Sequence, residues 1–359
     1  MKYLLHVGPG IGDFATILPM ARRIKLFDKN SYITAFSRGN SKNFEIIRQM
    51  LPLQQWIDEV EYYSLEEPFQ TIKFMFNLGI KKYDYATRIA YLDNKYVSNW
   101  PNIIMRLASK KSAGTNLKCR PDFKYDYAID FSPQVNVYQQ HLDLLSKLGI
   151  SRCCNEEDYP CFDIEKLNFT DKIFNLLENK RNIIAIVPGA GNMAVTADGK
   201  NGSKPAKKWL YKNWFKLCGL LASEGYCVVI LGGKKEYDEI NRLQNVDATN
   251  MINLCGKTSI KESLSIVHNA QIVVGVDTGL LHCAAGIGTT SLTLCGCTSY
   301  KKYLPLSKTA HYIQSEEKCS PCFGTDRWIH CSDFHCMKKI SVEEVYNKII
   351  SILGADSGN

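Results

Sequence analysis

The chain lacks any apolar run of the length needed to cross a bilayer. Its opening, MKYLLHV, is similar to an export signal only over those few residues, because Pro9 and the glycines around it interrupt the apolar stretch. Low-complexity tracts and short repeats are also missing. We therefore expect a cytoplasmic protein, with at most a peripheral contact at the inner face of the inner membrane.

Charge of one sign is in only modest excess, with 44 Lys and Arg against 36 Asp and Glu, a net charge of +8. The basic residues are dispersed along the chain in short clusters. This balance suits a phosphate-bearing substrate or an anionic membrane surface, and no nucleic-acid partner is expected. The 359 residues, 45% hydrophobic and 22% charged, are typical of a globular protein with two domains.

Segments typical of buried strands alternate with helical segments, first from Tyr3 to Gly149 and again from Ile183 onwards. This alternation predicts the α/β class, with parallel doubly wound sheets and right-handed crossovers. Two such Rossmann-like domains facing each other place a cleft between them, and their ligands bind at the carboxyl ends of the strands. The predicted divisions are an N-terminal domain over 1–165, a linker over 166–180, a C-terminal domain over 181–340, and a helix and tail over 341–359.

The motif Asp277-Thr278-Gly279, with His282 three residues further on, follows an apolar strand of the second half. A strand that turns directly into a small-residue helix presents free backbone N–H groups, and such a helix start binds phosphate. On local rules alone Asp277 is equally a helix N-cap, and Thr278 and Gly279 are turn formers. The place of the motif at a strand end of the second domain favours the phosphate-binding interpretation.

A glycine-rich turn, GPGIGD over residues 8–13, follows the first predicted strand. It is similar to the dinucleotide fingerprint, but the spacing is G-x-G-x-G and the second strand ends in Ser37-Arg38 without an acid. A nicotinamide-dependent oxidoreductase is therefore disfavoured. Either Gly10 and Gly12 let an acceptor approach the backbone while Asp13 supplies a carboxylate base, or Asp13 is only an acid at a helix start.

Two further strand ends in the second half carry charged residues. Lys207 follows a polar loop, and a lysine at the mouth of a cleft can neutralise a diphosphate as a point charge. Glu236 follows a Gly-Gly pair, where its carboxylate suits the two hydroxyls of a ribose. Solvation at the surface is the alternative explanation for any single lysine here.

These motifs follow one another across nearly the whole chain, which resembles glycosyltransferase family 9, the ADP-heptose:lipopolysaccharide heptosyltransferases and their relatives. The resemblance implies a GT-B fold. Its specific match is the segment Asp277-Thr278-Gly279-Leu280 with His282. The weaker matches are Gly12-Asp13 with Leu18-Pro19, Pro188-Gly189-Ala190, Lys207 with Trp209, Gly232-Gly233 with Glu236, and Gly256-Lys257-Thr258-Ser259.

The resemblance also implies a role for each matching residue. Asp13 corresponds to the general base that takes the proton from an acceptor hydroxyl, Lys207 to the lysine at the phosphates, and Glu236 to the acid at the ribose. The loop around the diphosphate and the donor sugar corresponds to Asp277, Thr278, Gly279, Leu280 and His282. Because the loop before Lys207 is longer than in the family pattern, Lys204 and Lys208 are alternatives to it.

The implied activity is transfer of a sugar, a heptose in the first instance, from a nucleotide-diphosphate donor. ADP-heptose is the expected donor, a lipopolysaccharide core or related glycolipid the expected acceptor, and inversion the expected outcome. The resemblance also implies that no divalent metal takes part in catalysis, which suits a site where backbone N–H groups, a lysine and a helix dipole stabilise the leaving diphosphate.

Fourteen cysteines are many for a cytoplasmic protein, and Cys319, Cys322, Cys331 and Cys336 form the pattern C-x2-C-x8-C-x4-C. Two such pairs complete a tetrahedral site, which predicts a structural zinc or iron, with His330 and His335 as further candidate ligands. Reduced thiols and disulfides are the alternatives. A related autotransporter-heptosylating subgroup carries an iron-binding finger of this kind. Protein-acceptor heptosyl transfer is therefore one alternative function, and a non-catalytic metal-dependent binding module is another.

Overall fold

The computed structural model describes residues 1–93, 97–121, 123–150, 161–189, 207–241 and 250–356. The chain divides into two compact units. The first comprises Met1–Asp163 together with Lys301–Tyr303, and the second comprises Ile164–Tyr300 together with Leu304–Asn359. The first unit is therefore built from two separate stretches of the sequence.

The first unit is a six-stranded parallel sheet with helices in the connections. Its strands are β1 (Lys2–His6), β2 (Tyr32–Arg38), β3 (Glu59–Tyr63), β4 (Tyr83–Arg88), β5 (Ser109–Asn116) and β6 (Tyr127–Asp130). Its helices are α1 (Ile11–Phe27), α2 (Ser41–Met50), α3 (Pro68–Lys81), α4 (Trp100–Ala108) and α5 (Val137–Lys147), with a 3-10 turn at Leu51–Leu53.

The strand order in the first sheet is β3-β2-β1-β4-β5-β6. The chain winds outward from β1 to β3 and then returns to pair β4 with the other side of β1, which is the Rossmann order. Tyr3, Leu4 and Leu5 are consecutive and all buried, because helices cover both faces of the sheet. The reversal of winding lies between β1 and β4, where such sheets bind their ligands.

The second unit has the same construction. Its strands are β7 (Ile183–Val187), β8 (Cys227–Ile230), β9 (Met251–Asn253), β10 (Ile272–Val276), β11 (Ser291–Cys295) and β12 (Ala310–Gln314). Its helices are α6 (Asp171–Leu177), α7 (Tyr211–Ser223), α8 (Lys234–Asn241), α9 (Ile260–Asn269), α10 (Gly279–Ile287), α11 (Tyr300–Tyr303), α12 (Asp326–His330), α13 (His335–Lys339) and α14 (Val342–Asp356). The last three residues of α11 belong to the first unit.

The second sheet runs β12-β11-β10-β7-β8-β9, with every pair parallel. Counted from β7 this is again the Rossmann order, and its reversal lies between β7 and β10. The predicted α/β class with two doubly wound units is confirmed. Each reversal point has one of the predicted motifs directly after a bordering strand, the glycine-rich turn after β1 and Asp277 after β10.

Helices stand at both ends of the second unit. The stretch 166–180, predicted as a linker, contains α6, and α14 packs against α7. Trp209 is fully buried, stacks edge-on against Trp214 at 4.7 Å and donates a 2.9 Å hydrogen bond to the Ile340 carbonyl. These contacts fix the chain directly after Lys207.

Candidate functional site

The glycine-rich turn leads into α1 at the reversal point of the first sheet. Asp13 is the third residue of α1, and the Gly10 N–H donates a 3.1 Å hydrogen bond to its Oδ2. The carboxylate therefore has a local role at the helix start. It also lies at the edge of the sheet where this architecture binds ligands. One role does not exclude the other, because a carboxylate has several acceptor positions.

Gly8 leaves the space that the Asp13 carboxylate occupies. A Cβ atom on Gly8 would lie 2.4 Å from both Cγ and Oδ2 of Asp13. A side chain at position 8 would therefore move the carboxylate. The Gly12 carbonyl accepts a 2.7 Å hydrogen bond from the Thr16 hydroxyl, which holds the first turn of α1.

Large polar side chains lie close to Asp13, and no sequence motif pointed to them. Burial raises the pKa of Tyr91 well above its ordinary value, and the Asp13 carboxylate, Tyr138 and Tyr303 add to this rise. Lys302 Nζ donates a 2.8 Å hydrogen bond to the Tyr91 carbonyl, and burial lowers the pKa of Lys302 to about 8. The first unit thus holds the Tyr91 phenol near the candidate base, and a buried amine at the Tyr91 carbonyl.

In the second unit, charged residues converge on Asp277 at the end of β10. Lys207 Nζ donates hydrogen bonds of 2.7 Å to Asp277 Oδ2 and 3.2 Å to the Asp277 carbonyl. His282 Nε2 lies 3.3 Å from Asp277 Oδ1. The three side chains are only 10–14% exposed. The structure therefore brings Lys207, 70 positions away in the sequence, to the Asp277 motif that contains His282.

The neighbours of Asp277 keep it ionised. Burial alone raises the pKa of its carboxyl group, but the Lys207 ammonium and the His282 imidazole lower it by more. The pKa of Asp277 consequently lies below its ordinary value, and the carboxylate holds Lys207 in one place.

The helix start after Asp277 has no side-chain cap. Thr278 is the N-cap residue of α10, with extended backbone angles and no capping hydrogen bond from its side chain. The N-cap interpretation of Asp277 is wrong, because its oxygens contact Lys207 and His282 instead. Gly279 and Leu280 stand in the first turn, and the positive end of an uncapped helix attracts an anion.

Glu236 lies in the first turn of α8, close to the end of β7. Its Oε2 accepts a 2.9 Å hydrogen bond from the Gly233 N–H. A Cβ atom on Gly189, which follows β7, would lie 2.6 Å from its Oε1. Glycine at position 189 therefore leaves space for this carboxylate beside a strand that borders the reversal point.

Of the alternatives to Lys207, Lys208 pairs with Glu239 at 3.6 Å and lies 5.7 Å from the ring centre of Tyr211. Lys204 lies outside the described residues, as does Ala190. Between Lys207 and Lys208, the geometry favours Lys207, because its ammonium contacts the Asp277 motif directly.

The four cysteines of the C-terminal motif gather in the second unit as free thiols. Burial raises the pKa of Cys336 to about 11, and the thiols of Cys322, Cys319 and Cys331 add to the rise. Their chemistry suits zinc or iron. Within the described ranges, however, no three His, Cys, Asp or Glu side chains are arranged to hold a metal ion. The metal therefore stays a prediction.

The two histidines predicted as further ligands make other contacts. His330 Nδ1 lies 2.8 Å from the Asp326 carbonyl, and His335 pairs with the Asp333 carboxylate.

The cysteine segment also contacts the Lys207 site, which the sequence did not indicate. Lys207 Nζ lies 5.6 Å from the ring centre of Phe323, the residue after Cys322. Phe323 in turn packs edge-on against Trp328 at 5.0 Å. The Lys207 ammonium thus lies over the face of the Phe323 ring, which is a favourable place for a cation.

These contacts make the second unit suited to binding an anion. A fixed ammonium and an uncapped helix start lie at one strand end, and a carboxylate stands at a strand that borders the same reversal. Asp13 belongs to the other unit, where it supplies a carboxylate at the equivalent edge. Positive groups for a phosphate and separate acceptors for hydroxyls are the chemistry that a sugar nucleotide requires.

Known proteins share this construction. The solved structure of Escherichia coli ADP-heptose lipopolysaccharide heptosyltransferase II has a TM-score of 0.72 at 19% identity, covering 99% of this chain and 100% of that one. The iron-containing dodecameric glycosyltransferase TibC from enterotoxigenic E. coli has a TM-score of 0.52 at 13% identity, covering 99% of this chain and 76% of that one. These likenesses confirm the predicted GT-B fold class.

Sequence similarity points the same way. Lipooligosaccharide heptosyltransferase 2 of Haemophilus influenzae is 31% identical over 159 residues, which is 43% of this chain and 42% of that protein. The match thus spans less than half the length of that relative. Residues 103–331, more than half of the chain, match the model of glycosyltransferase family 9 (heptosyltransferase). The chain belongs to glycosyltransferase family 9.

Proposed function

We propose that this protein transfers a heptose from ADP-heptose to a lipopolysaccharide core or a related glycolipid, with inversion at the anomeric carbon. The observation that carries the proposal is the contact of Lys207 and His282 with Asp277 beside the uncapped start of α10. The similar H. influenzae protein is a lipooligosaccharide heptosyltransferase, and the similar E. coli structure is an ADP-heptose enzyme. Those names supply the donor and the acceptor class.

The second unit would bind the donor. A nucleoside diphosphate that leaves an anomeric carbon gains negative charge, which the Lys207 ammonium and the first N–H groups of α10 stabilise. Asp277 holds Lys207 in position, so the ammonium does not have to be ordered when the donor binds. Glu236 would accept the ribose hydroxyls, with one oxygen still held by the Gly233 N–H.

The first unit would activate the acceptor. Asp13 takes the proton from the attacking hydroxyl, and the sugar–phosphate bond breaks as the new glycosidic bond forms. The Gly10 N–H fixes one carboxylate oxygen at 3.1 Å. This contact orients the base without protonating it.

The donor proposal is tested by thermal shift with ADP, UDP, GDP and NAD, because a ligand that binds only the native state raises the melting temperature. We expect ADP to stabilise the protein and NAD to have no effect. Lys207→Met should abolish the ADP shift, whereas Lys208→Met should retain it. Equal shifts with all three diphosphates would remove the argument for an adenine donor, and a shift with NAD alone would overturn the proposal.

The base is tested by Asp13→Asn, which keeps an oxygen that can accept from the Gly10 N–H. Heptose transfer from ADP-heptose should fall by roughly 100-fold or more, with the ADP shift unchanged. Asp171→Asn is the matched control, because Asp171 is an acid in the first turn of α6 in the other unit. Turnover near the wild-type level in Asp13→Asn would exclude this role.

A protein acceptor is the second candidate, and the cysteine motif is the observation that favours it, since the structurally similar TibC is an iron-containing glycosyltransferase. Purified protein supplied with labelled ADP-heptose would distinguish the acceptors. Label in lipopolysaccharide that lacks its heptoses supports the glycolipid, and label only in protein supports this alternative. A chain that binds ADP and labels neither would be the non-catalytic binding module.

We also propose that the four thiols take a structural zinc or iron, because they are spaced as two pairs and the thiols of Cys319, Cys322 and Cys331 lie close enough to Cys336 to raise its pKa. Elemental analysis should find about one metal per chain, lost in Cys319→Ser/Cys322→Ser and retained in Cys119→Ser. Metal-free protein with all four thiols open to titration would exclude the site.

A further inference from the structure

One side of the first unit carries an unusual amount of exposed apolar surface. It consists of Phe69, Ile72, Phe76 and Ile80 on α3 and Trp100, Ile103 and Leu107 on α4, here called the α3–α4 face. Each of these side chains is between 45% and 88% exposed. Isolated apolar residues on a surface are ordinary, whereas a contiguous set on neighbouring elements indicates a binding surface.

The helical spacing explains why these residues form one face. The α3 members recur at intervals of three and four residues, so they form a stripe, and those of α4 do the same. The opposite sides of the two helices are buried in one core cluster, through Phe74 and Leu78 on α3 and Met105 on α4. Because α3 and α4 also contact each other, their outer stripes lie side by side.

The two helices carry charges of one sign only, and the acidic residues Glu66 and Glu67 directly precede α3. Residues 68–83 contain no acidic residue, and neither do residues 94–121. Lys73 on α3 and Arg106 on α4 are both exposed. Lys82 follows α3 and is also exposed. Apolar side chains with basic residues on the same two helices suit an anionic lipid surface, where aromatic and aliphatic side chains enter the headgroup boundary and the cations meet phosphates.

We infer that the α3–α4 face docks this protein on a bilayer that contains anionic phospholipid. The inference rests on the proposed function, because a lipid-borne acceptor lies at a membrane surface. A second copy of the chain is disfavoured as the occupant, since two such faces would bring like charges together. The docking is peripheral: among the helices of the described residues, none is long and apolar enough to span a membrane.

Vesicle co-sedimentation, without donor or acceptor, tests this inference separately from the transfer reaction. The wild-type protein should bind vesicles with one third phosphatidylglycerol at least roughly tenfold better than pure phosphatidylcholine vesicles, and added salt should weaken the binding. Phe69→Ser/Phe76→Ser should lower binding to the anionic vesicles by roughly tenfold or more. Leu26→Ser/Phe27→Ser is the matched control and should bind like the wild type, because both residues are more than half exposed at the end of α1.

Transfer to a detergent-dispersed acceptor should be unchanged in Phe69→Ser/Phe76→Ser, since the face is not part of the proposed site. Equal binding to both kinds of vesicle, or equal losses in the two double variants, would overturn the inference. Absence of vesicle binding together with a dimer that Phe69→Ser/Phe76→Ser dissociates would overturn it in favour of a second copy. A failed transfer assay with intact vesicle binding would count only against the proposed function.

Discussion

At the scale of single residues, the two carboxylates of the candidate site are held by different means. Asp13 keeps its position because Gly8 leaves space for it and the Gly10 N–H contacts one oxygen. Asp277 keeps its position because Lys207 and His282 contact its two oxygens. We therefore expect a larger side chain at position 8 to displace the Asp13 carboxylate. Removal of the Lys207 charge should instead displace the Asp277 carboxylate.

Gly8→Ala tests the first of these. The new methyl group would overlap the Asp13 carboxylate, and the short side chain can turn away without unfolding the helix. We expect heptose transfer to fall by roughly 100-fold, because a base displaced by about an ångström loses its alignment. The ADP-induced thermal shift should stay at its wild-type size.

Gly219→Ala is the control for the extra methyl group. Gly219 is an exposed residue of α7, and a Cβ atom there meets nothing within 4 Å. Transfer should be unchanged, and the free energy of unfolding should rise by about 1 kcal/mol. If Gly8→Ala transferred heptose as well as this control, the position of Asp13 would not matter to the reaction.

The sequence could locate most of the site residues because they stand where strands end. In parallel sheets these ends share one edge, so Asp13, Glu236 and Asp277 could be selected without coordinates. It could not locate Lys302, which is 211 positions from its partner Tyr91. A contact that depends only on tertiary packing leaves no local pattern.

At the scale of elements, the start of α9 has a reciprocal cap between Ser259 and Glu262. The Ser259 hydroxyl accepts from the Glu262 N–H at 3.2 Å, and the Ser259 N–H donates to Glu262 Oε2 at 2.7 Å. This reciprocal pair satisfies two N–H groups at the start of the helix. The motif around Lys257 and Ser259 thus has a structural explanation.

Ser259→Ala should lower the free energy of unfolding by about 1 kcal/mol, because the cap hydrogen bond is lost. Denaturant unfolding monitored by circular dichroism measures this change. Ser146 is exposed inside α5. Ser146→Ala should raise the free energy of unfolding by only a few tenths of a kcal/mol, because alanine has the higher helix propensity. Similar losses in both variants would contradict the importance of the cap.

Strand β5 is not evident from its sequence SKKSAGTN, because Thr115 is its single β-branched residue and it has no large apolar side chain. It is extended because β4 and β6 pair with it on both sides. The polar group of Ser112 is satisfied inside the sheet, since its N–H and hydroxyl donate to Asp126 Oδ2 at 2.8 and 3.0 Å. By contrast β10, with the sequence IVVGV, is evident from its apolar run.

At the scale of the whole molecule, the alternation of strands and helices was sufficient to predict two doubly wound units. Parallel strands need long crossovers, so the repeated pattern leaves few other topologies. It could not predict that Lys301–Tyr303 belongs to the first unit. That stretch is short, basic and aromatic, with no periodicity that assigns it to a sheet.

The buried amine of this stretch should give stability a distinctive pH dependence. Burial lowers the pKa of Lys302 from 10.5 to about 8, so above pH 8 the unfolded chain binds a proton that the native protein has released. Wild-type stability should therefore rise relative to Lys302→Met by about 2 kcal/mol between about pH 7.5 and about pH 9.5. Unfolding measured in parallel for the two proteins gives this difference.

Lys301→Met is the matched control, since Lys301 is exposed on the same turn. Its stability should follow the wild-type protein across the same pH range. A constant difference between the wild type and Lys302→Met at every pH would mean that the amine is not buried as the structure describes.

The discontinuous first unit has a consequence for synthesis of the chain. All six of its strands have been synthesised once Asp130 is added, yet the amine that binds the Tyr91 carbonyl arrives only with Lys302. Co-translational folding can therefore form the first sheet early but cannot finish the surroundings of Tyr91 until most of the second unit has been made. In a nascent chain stalled before residue 301, the surroundings of Tyr91 should be open to proteases. A chain stalled far enough downstream for α11 to leave the ribosome should be protected there.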